Sequence, residues 1–181
     1  MVCRALVSCA VIVVTARLEA TVLVPASVGE LAREAGAIVR GRVIAVEARF
    51  TADRRAIETL VTVDVEETLK GSLGSTVQFL APGGTLGRYR SIFVGAPAFA
   101  AGERVVLFLG WNGPSYPYLL GLSQGVFRVQ TGSANTLVVV PSPVTAPLTG
   151  TVSVVRGDPA RRPLPLADFE KQVRTIVAEA R

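Results

Sequence analysis

The sequence predicts a mainly β protein: a small antiparallel barrel with a short N-terminal helix and a C-terminal amphipathic helix. Three stretches support this fold class. Apart from Leu60, residues 57–66 alternate apolar and polar side chains, as a strand with one buried face does. In residues 37–50 the apolar side changes near Gly41, which indicates a strand that bends as barrel strands do. Residues 104–109, RVVLFL, are almost entirely apolar, which is typical of a strand buried on both faces.

The alternation in residues 57–66 separates the two faces of this strand. The predicted inner face consists of Ile57, Thr59, Val61, Val63 and Val65. The outer row of Glu58, Asp64 and Glu66 is expected to face solvent as ordinary surface. Lys70-Gly71 is expected to end this strand in a turn.

Local signals predict the remaining elements. A short helix is expected over residues 27–36, because Ser27 suits an N-cap, Glu30 lies three residues later and Gly36 supplies a stop. A polar hairpin turn is expected at residues 51–55. Further short strands are predicted at residues 76–80, 91–94, 118–122, 125–129, 135–140 and 151–155.

Residues 166–180 carry the clearest helical pattern, and this helix is expected to pack on the barrel. Its apolar stripe consists of Leu166, Phe169, Val173, Ile176, Val177 and Ala180. Glu170 and Arg174 are spaced for an i, i+4 ion pair worth about 0.2–0.5 kcal/mol. No flexible linker interrupts the chain, so residues 21–181 are interpreted as a single domain.

The N-terminus has the features of a secretory signal peptide spanning residues 1–20. Arg4 precedes an apolar stretch at residues 5–16, and the small residues Ala16 and Ala20 offer cleavage sites. Cleavage after Ala20 is favoured, with Ala16 as the alternative. The protein is therefore expected to be secreted or periplasmic, with no stable transmembrane segment after cleavage. A lipoprotein box ending at Cys9 is a weaker alternative, because most of the apolar stretch follows that cysteine. An uncleaved membrane anchor is an equally weak alternative.

Composition excludes several classes of chemistry. The chain has 181 residues, no histidine and two cysteines, Cys3 and Cys9, which cleavage would remove. The mature chain then lacks a thiol nucleophile, an imidazole base and the usual zinc ligands. The net charge is +5, but the basic residues are scattered, so a nucleic-acid partner is not expected.

No catalytic motif, metal site or cofactor site is predicted. The candidate carboxylates for hydrolysis do not pair in any recognisable motif; they are Glu47, Glu58, Asp64, Glu66, Glu67 and Glu103. Residues 82–88, PGGTLGR, are rich in glycine but lack the Gly-Lys-Ser/Thr ending of a phosphate loop. They are interpreted as a β-turn.

The candidate ligand-binding residues are loop aromatics and their neighbouring arginines. They are Arg88, Tyr89, Arg90, Trp111, Tyr116 and Tyr118. Exposed aromatic and arginine side chains are the usual anchors of recognition surfaces. The alternative is that these side chains close the ends of the barrel.

Several stretches resemble a group of secreted bacterial proteins with a netrin-like or TIMP-like OB-fold module. They are AIVRGRVIAVEARF, VTVDVEETLKG, PGG, GAPAFAAGERVVLFL and QGVFRV, within residues 37–129. The resemblance implies a five-stranded OB-like barrel with flanking helices. Metalloproteinase inhibitors of that branch use a free N-terminal cysteine and disulfides, which the mature chain from Thr21 does not have. Inhibition by that mechanism is therefore not implied.

The function expected from these features is that of a secreted, non-enzymatic β-barrel that binds a protein or cell-envelope ligand. A carboxylate-dependent envelope hydrolase is the second hypothesis. Single-stranded nucleic-acid binding through the OB face is the third, and export disfavours it.

N-terminal sequencing of the exported protein should begin near Thr21, because signal peptidase cleaves after small residues such as Ala20. Recovery of the chain from the cytoplasm with Met1 intact would contradict the signal-peptide interpretation.

Overall fold

The computed structural model describes residues 25–113, 116–142 and 161–180. In chain order the helices and strands are α1 (Val28–Glu34), β1 (Ala37–Phe50), β2 (Ile57–Lys70), β3 (Thr76–Pro82), β4 (Gly84–Leu86), β5 (Tyr89–Ser91), β6 (Arg104–Gly110), β7 (Tyr118–Leu119), β8 (Val126–Thr131), β9 (Leu137–Pro141), β10 (Leu164–Pro165) and α2 (Leu166–Glu179). The predicted fold class is confirmed, since the protein is mainly β with one helix near each end of the described chain. Neither helix has the length and apolar content needed to cross a membrane.

Five strands form a partly closed, OB-like barrel. β1 pairs with β2, β2 with β3, and β6 with both β7 and β1, all antiparallel. β3 and β7 are parallel and meet at one register pair, Leu80 and Tyr118. This short contact is where the ring is least closed. β8, β9 and β10 extend the sheet outward from β6.

β1 belongs to two ladders, and Gly41 lies where it meets both. Gly41 is opposite Val65 on β2 and Val105 on β6. A Cβ at this position would lie 2.3 Å from the carbonyl oxygen of Asp64. The β1–β2 register shifts beside Gly41 and again after Val43. The predicted irregularity at Gly41 is confirmed, and its cause is the close approach of the β2 backbone.

β6 separates two hydrophobic cores, which confirms that both of its faces are buried. Val105, Leu107 and Leu109 point into the barrel, while Val106 and Phe108 lie under the helices. The barrel core consists of Val39, Val43, Val61, Val63, Val77, Phe79, Ala81, Val105, Leu107, Leu109, Leu119 and Val126. The helix-side core includes Leu31, Ile38, Leu69, Val106, Phe108, Phe127, Val139, Leu166, Phe169, Val173 and Val177.

α1 is fixed at both ends by hydrogen bonds. The Glu30 amide donates to Ser27 Oγ, and the Ser27 amide donates to the Glu30 carboxylate, which forms the predicted capping box. Hydrogen bonds from the Ser27 backbone and side chain lower the pKa of Glu30. Lys70, at the end of β2, donates to the carbonyl oxygens of Ala32 and Arg33 at 2.8 and 2.9 Å. Burial lowers the pKa of Lys70.

The expectation that the outer acidic row of β2 faces solvent is wrong for Glu66 and Glu58. Glu66 accepts from Arg40 at 2.7 Å and from Arg104 at 3.0 Å, and its side chain is mostly covered. Glu58 accepts from Arg49 at 2.8 Å. Asp64 is exposed, as predicted. The row is a set of strand-to-strand ion pairs because arginines on β1 and β6 reach across it.

The predicted Glu170–Arg174 pair within α2 is also wrong. Glu170 accepts from Arg40 on β1 at 2.8 Å, and Arg174 donates to Glu67 on β2 at 2.6 Å. Both side chains therefore attach α2 to the sheet rather than to the helix itself. Ile176 is half-buried and Ala180 is exposed, so the buried stripe is narrower than predicted.

Two predicted strands differ from the structure. The strand expected at residues 91–94 is β5, which ends at Ser91, and residues 92–94 form an exposed loop. The strand expected at residues 118–122 stops at Leu119, where a turn leads into a 3₁₀ helix, Leu122–Gly125. The signal peptide at residues 1–20 and the strand expected at residues 151–155 lie outside the described residues.

Replacing Gly41 with alanine should lower the free energy of unfolding by about 3 kcal/mol, because the new methyl group would overlap the Asp64 carbonyl. The measurement is urea unfolding followed by circular dichroism. Gly74→Ala is the matched control, since a Cβ there has no atom within 4 Å, and it should change stability by less than about 0.5 kcal/mol. Equal stability of the two variants would contradict the conclusion that the close approach of the β2 backbone requires glycine at position 41.

Candidate ligand-binding site

The structure places the six candidate residues in two groups on opposite faces of the β1–β2 hairpin. The hairpin group, Arg88, Tyr89 and Arg90, lies on β4–β5 and packs on the inner face. The loop group, Trp111, Tyr116 and Tyr118, follows β6. The ring of Phe50 contacts that of Tyr89, and the guanidinium of the preceding strand residue, Arg49, lies over the Tyr116 ring. Because successive strand residues point to opposite faces, Tyr89 and Tyr116 lie on opposite faces of this hairpin.

Two glycines allow the β4–β5 hairpin to dock on the β1–β2 hairpin. A Cβ at Gly84 would lie 2.6 Å from Thr59 Oγ1 and 3.2 Å from Ile57. Thr59 Oγ1 donates to the carbonyl of Gly83 at 2.7 Å. Gly83 has φ +87°, a conformation that glycine adopts readily. The glycine-rich segment therefore holds a hairpin in place, and it leads into β4 rather than into a helix.

Tyr89 is held by one aromatic and one cationic neighbour. Its ring packs edge-on against Phe50 with centroids 6.0 Å apart. The Arg88 guanidinium lies 5.0 Å from the Tyr89 ring centroid and donates to Tyr89 Oη at 2.8 Å. Half of the Tyr89 side chain nevertheless remains exposed, at 50 %. The ring is ordered by its neighbours and still available to a ligand.

A pocket of about 570 Å³ lies beside Tyr89, and we call it the arginine pocket. Its lining residues are Phe50, Arg54, Arg55, Ala56, Ile57, Tyr89, Arg90 and Ser91. Arg54 and Arg90 form no ion pair within the described ranges, and Arg55 reaches Asp53 only at 4.0 Å. The pocket thus combines two aromatic rings with arginines that lack close counter-charges, a composition suited to an anionic group.

A second pocket of about 540 Å³ shares Arg90 and Ser91 with the first. We call it the apolar pocket because nine of its fifteen lining residues are aliphatic or aromatic. Its lining residues are Val46, Ala48, Thr59, Pro82, Gly83, Gly84, Thr85, Arg90, Ser91, Ile92, Phe93, Ala96, Pro97, Ala98 and Phe99. The two pockets together form one surface that is apolar at one end and cationic at the other.

The side chains of the loop group mainly pack against backbone and contribute little to a pocket. A Cβ at Gly36 would lie 3.0 Å from the Trp111 ring, and one at Gly110 would lie 2.8 Å from the Tyr118 ring. Both rings therefore lie against glycine backbone at the barrel. Trp111 and Tyr116 also line a shallow pocket of about 490 Å³ beside β3. For Trp111 and Tyr118, closing the barrel is the better supported role.

Five exposed large apolar side chains line the arginine and apolar pockets: Val46, Phe50, Tyr89, Ile92 and Phe93. In the described part of the chain, every exposed large apolar side chain falls within residues 44–50, 89–94 or 111–118. Ile92 is 63 % exposed and Phe93 is 46 % exposed. Sequence reasoning missed Phe50, Arg54, Ile92 and Phe93. Their only signal was an apolar run at residues 92–94, which is equally consistent with a buried strand.

The carboxylates considered for hydrolysis are mostly held by arginines. Glu58, Glu66, Glu67 and Glu103 each have an arginine partner within 4.0 Å. These four side chains are therefore engaged in contacts within the fold. Within the described ranges, no three acidic residues lie close enough together to hold a metal ion.

No protein family model matches the chain, and no characterised protein has a detectably similar sequence. The assignment of a binding site therefore depends on the geometry of the chain itself.

Replacing Tyr89 with alanine should lower the free energy of unfolding by about 1 kcal/mol or less, because the ring is half exposed. Phe79→Ala, which empties a fully buried position in the barrel core, should cost about 3–5 kcal/mol. Urea unfolding of both variants is the measurement. A loss at Tyr89 as large as that at Phe79 would mean that Tyr89 closes the barrel.

Proposed function

We propose that this protein is a secreted, non-enzymatic β-barrel module that binds a protein or cell-envelope ligand. The binding surface is what we call the hairpin end, formed by Phe50, Arg54, Tyr89, Arg90 and residues 92–93. The observation that carries the proposal is the meeting of exposed apolar side chains and unpaired arginines at this end.

Exposed apolar surface of this kind favours association. Burying one Ile or Phe side chain removes about 1.5–3 kcal/mol of unfavourable contact with water. Tyr89 lies on the β4–β5 hairpin, which is docked through Gly83 and Gly84, and Ile92 and Phe93 lie in the exposed loop that follows this hairpin. A rigid aromatic and aliphatic cluster loses little conformational entropy on binding, which is the usual basis of an interface hot spot.

Two sequence features support the location and fold family in this proposal. The basic, apolar and small-residue segments of residues 1–20 support export. The stretches that resemble netrin-like modules include β1 and most of β2 and β6, three strands of the barrel ring. We infer from them an OB-fold module of that branch. Its ligand would be held by side chains at the hairpin end, since the mature chain has no cysteine to chelate zinc.

Capture from an envelope extract tests this function. The exported protein, immobilised on a support, should retain a defined envelope component. An Arg88→Ala/Tyr89→Ala double variant should retain about tenfold less of it, because Tyr89 belongs to the binding surface and Arg88 holds the Tyr89 ring in place. Lys171→Ala, on the exposed face of α2, is the control and should bind as the original protein does.

Retention of nothing above an empty support, or equal retention by all three proteins, would overturn the proposal. Turnover of envelope glycans or peptides that is lost on changing one Glu or Asp would instead establish a hydrolase.

A further inference from the structure

The second half of β1 has a strand partner on one side only. Its pairing with β2 continues to Phe50, whereas its pairing with β6 ends at Arg42. Val43 still exchanges backbone hydrogen bonds with Gly102 and Glu103. Beyond it, no strand of the described ranges lies along the other side of residues 44–50. These residues form an open sheet edge, and we call them the β1 edge.

The hairpin turn shows which backbone groups face this edge. The Thr51 amide donates to the Ala56 carbonyl at 2.9 Å, so these two residues are a hydrogen-bonded pair next to the ladder. Hydrogen-bonded and non-hydrogen-bonded pairs alternate along an antiparallel ladder. Val46, Ala48 and Phe50 are therefore non-hydrogen-bonded positions, and their N–H and C=O groups point away from β2.

A contact on the other side of β2 confirms this assignment of hydrogen-bonded and non-hydrogen-bonded pairs. Ile57 is opposite Phe50, and its carbonyl accepts from the Gly83 amide at 3.0 Å, on the side facing away from β1. The described chain provides no hydrogen-bond partner for the outward backbone groups of Val46, Ala48 and Phe50. An edge with free donors and acceptors is a template for another strand.

The side chains along this edge lead into the two pockets. Val46 and Ala48 line the apolar pocket together with Ile92 and Phe93. Phe50, two residues further on, lines the arginine pocket. From Val46 to Phe50 the edge is about 14 Å long, the length of a five-residue strand segment.

We propose that the β1 edge binds an extended segment of a partner protein as an added β-strand. This inference rests on the proposed binding function and specifies the kind of ligand. Main-chain hydrogen bonds to Val46, Ala48 and Phe50 provide affinity that does not depend on the ligand's sequence, and the pockets provide specificity.

The two pockets define the sequence that such a segment carries. Residues directly opposite in a strand pair point to the same face. Ligand residues opposite Val46 and Ala48 therefore enter the apolar pocket, and large apolar side chains suit these positions. The ligand residue opposite Phe50 faces Arg54 and Arg90, where a carboxylate supplies the missing counter-charge. The pattern is two large apolar residues and one acidic residue at alternate positions, in either chain direction.

Charge and geometry favour this occupant over the alternatives. The β1 edge of a second copy presents Val46, Ala48 and Phe50 at its own alternate positions and supplies no carboxylate to the arginines. A lipid surface has no backbone groups to pair with the edge. Within the described residues, neither Arg54 nor Arg90 has an acidic side chain within 4.0 Å, so this part of the chain supplies no counter-charge to them.

Selection from a random dodecapeptide phage library on the exported protein tests the proposal. Enriched peptides should carry the alternating apolar, apolar, acidic pattern. An Arg54→Glu/Arg90→Glu variant should bind the best peptide about tenfold more weakly or worse, because both charges facing the carboxylate are reversed. Lys171→Glu reverses one charge on the exposed face of α2, at a residue that lines neither pocket, and should leave binding unchanged.

A backbone-modified peptide separates strand addition from side-chain docking. The best peptide should bind about tenfold more weakly when the amides facing the edge are N-methylated, and normally when the intervening amides are methylated. This readout does not depend on the folding of any variant. Equal binding of the two methylated peptides, enrichment without acidic residues, or no enrichment at all would overturn the proposal.

Three further outcomes would also overturn it. The first is binding to vesicles of phosphatidylglycerol and phosphatidylcholine that the R54E/R90E variant loses, with no peptide enrichment. The second is dimerisation in solution that buries the β1 edge. The third is an envelope ligand whose capture depends on Tyr89 but survives R54E/R90E, together with no peptide enrichment. In that last case the proposed binding function would stand and the strand-addition mechanism would fail.

Discussion

The structure depends on β1 serving two ladders at once. Its first half is held between β2 and β6, and this pairing closes the barrel and separates the two cores. Only glycine fits at position 41, because the β2 carbonyl of Asp64 occupies the space of a Cβ. Past Val43 the strand leaves β6 and continues with β2 alone. The irregularity that lets β1 serve two partners also leaves its second half with an open edge.

The two halves of β1 also differ in the ion pairs that surround them. Near the first half, Glu66 joins Arg40 and Arg104, while Glu170 extends the network to α2. Those ion pairs are largely shielded from solvent and connect strands that are distant in the sequence. Near the second half, Arg54 and Arg90 have no ion-pair partner in the described chain. Arg49, also in the second half, pairs with Glu58 at 2.8 Å, so of the arginines near this end it is Arg54 and Arg90 that remain available to a ligand.

The sequence predicted those features that local patterns encode. Alternation identified the buried face of β2, an unbroken apolar run identified β6, and Ser27 with Glu30 identified the start of α1. Contacts between distant residues have no such signal. Arg40 and Glu170 are separated by 130 positions, and nothing near Glu170 distinguishes Arg40 from Arg174 as its partner. Likewise, an apolar run at residues 92–94 fits a buried strand and an exposed loop equally well, so the hairpin end required the tertiary structure.

Residue-level hydrogen exchange of the exported protein, measured by NMR, tests the open β1 edge most directly. The amides of Ala45, Glu47 and Arg49, which face β2, should exchange slowly, because they are hydrogen-bonded in the ladder. The amides of Val46, Ala48 and Phe50 should exchange about a hundredfold faster, because the described structure gives them no partner. Equal protection of both sets would show that another strand already covers the edge, and it would contradict this account.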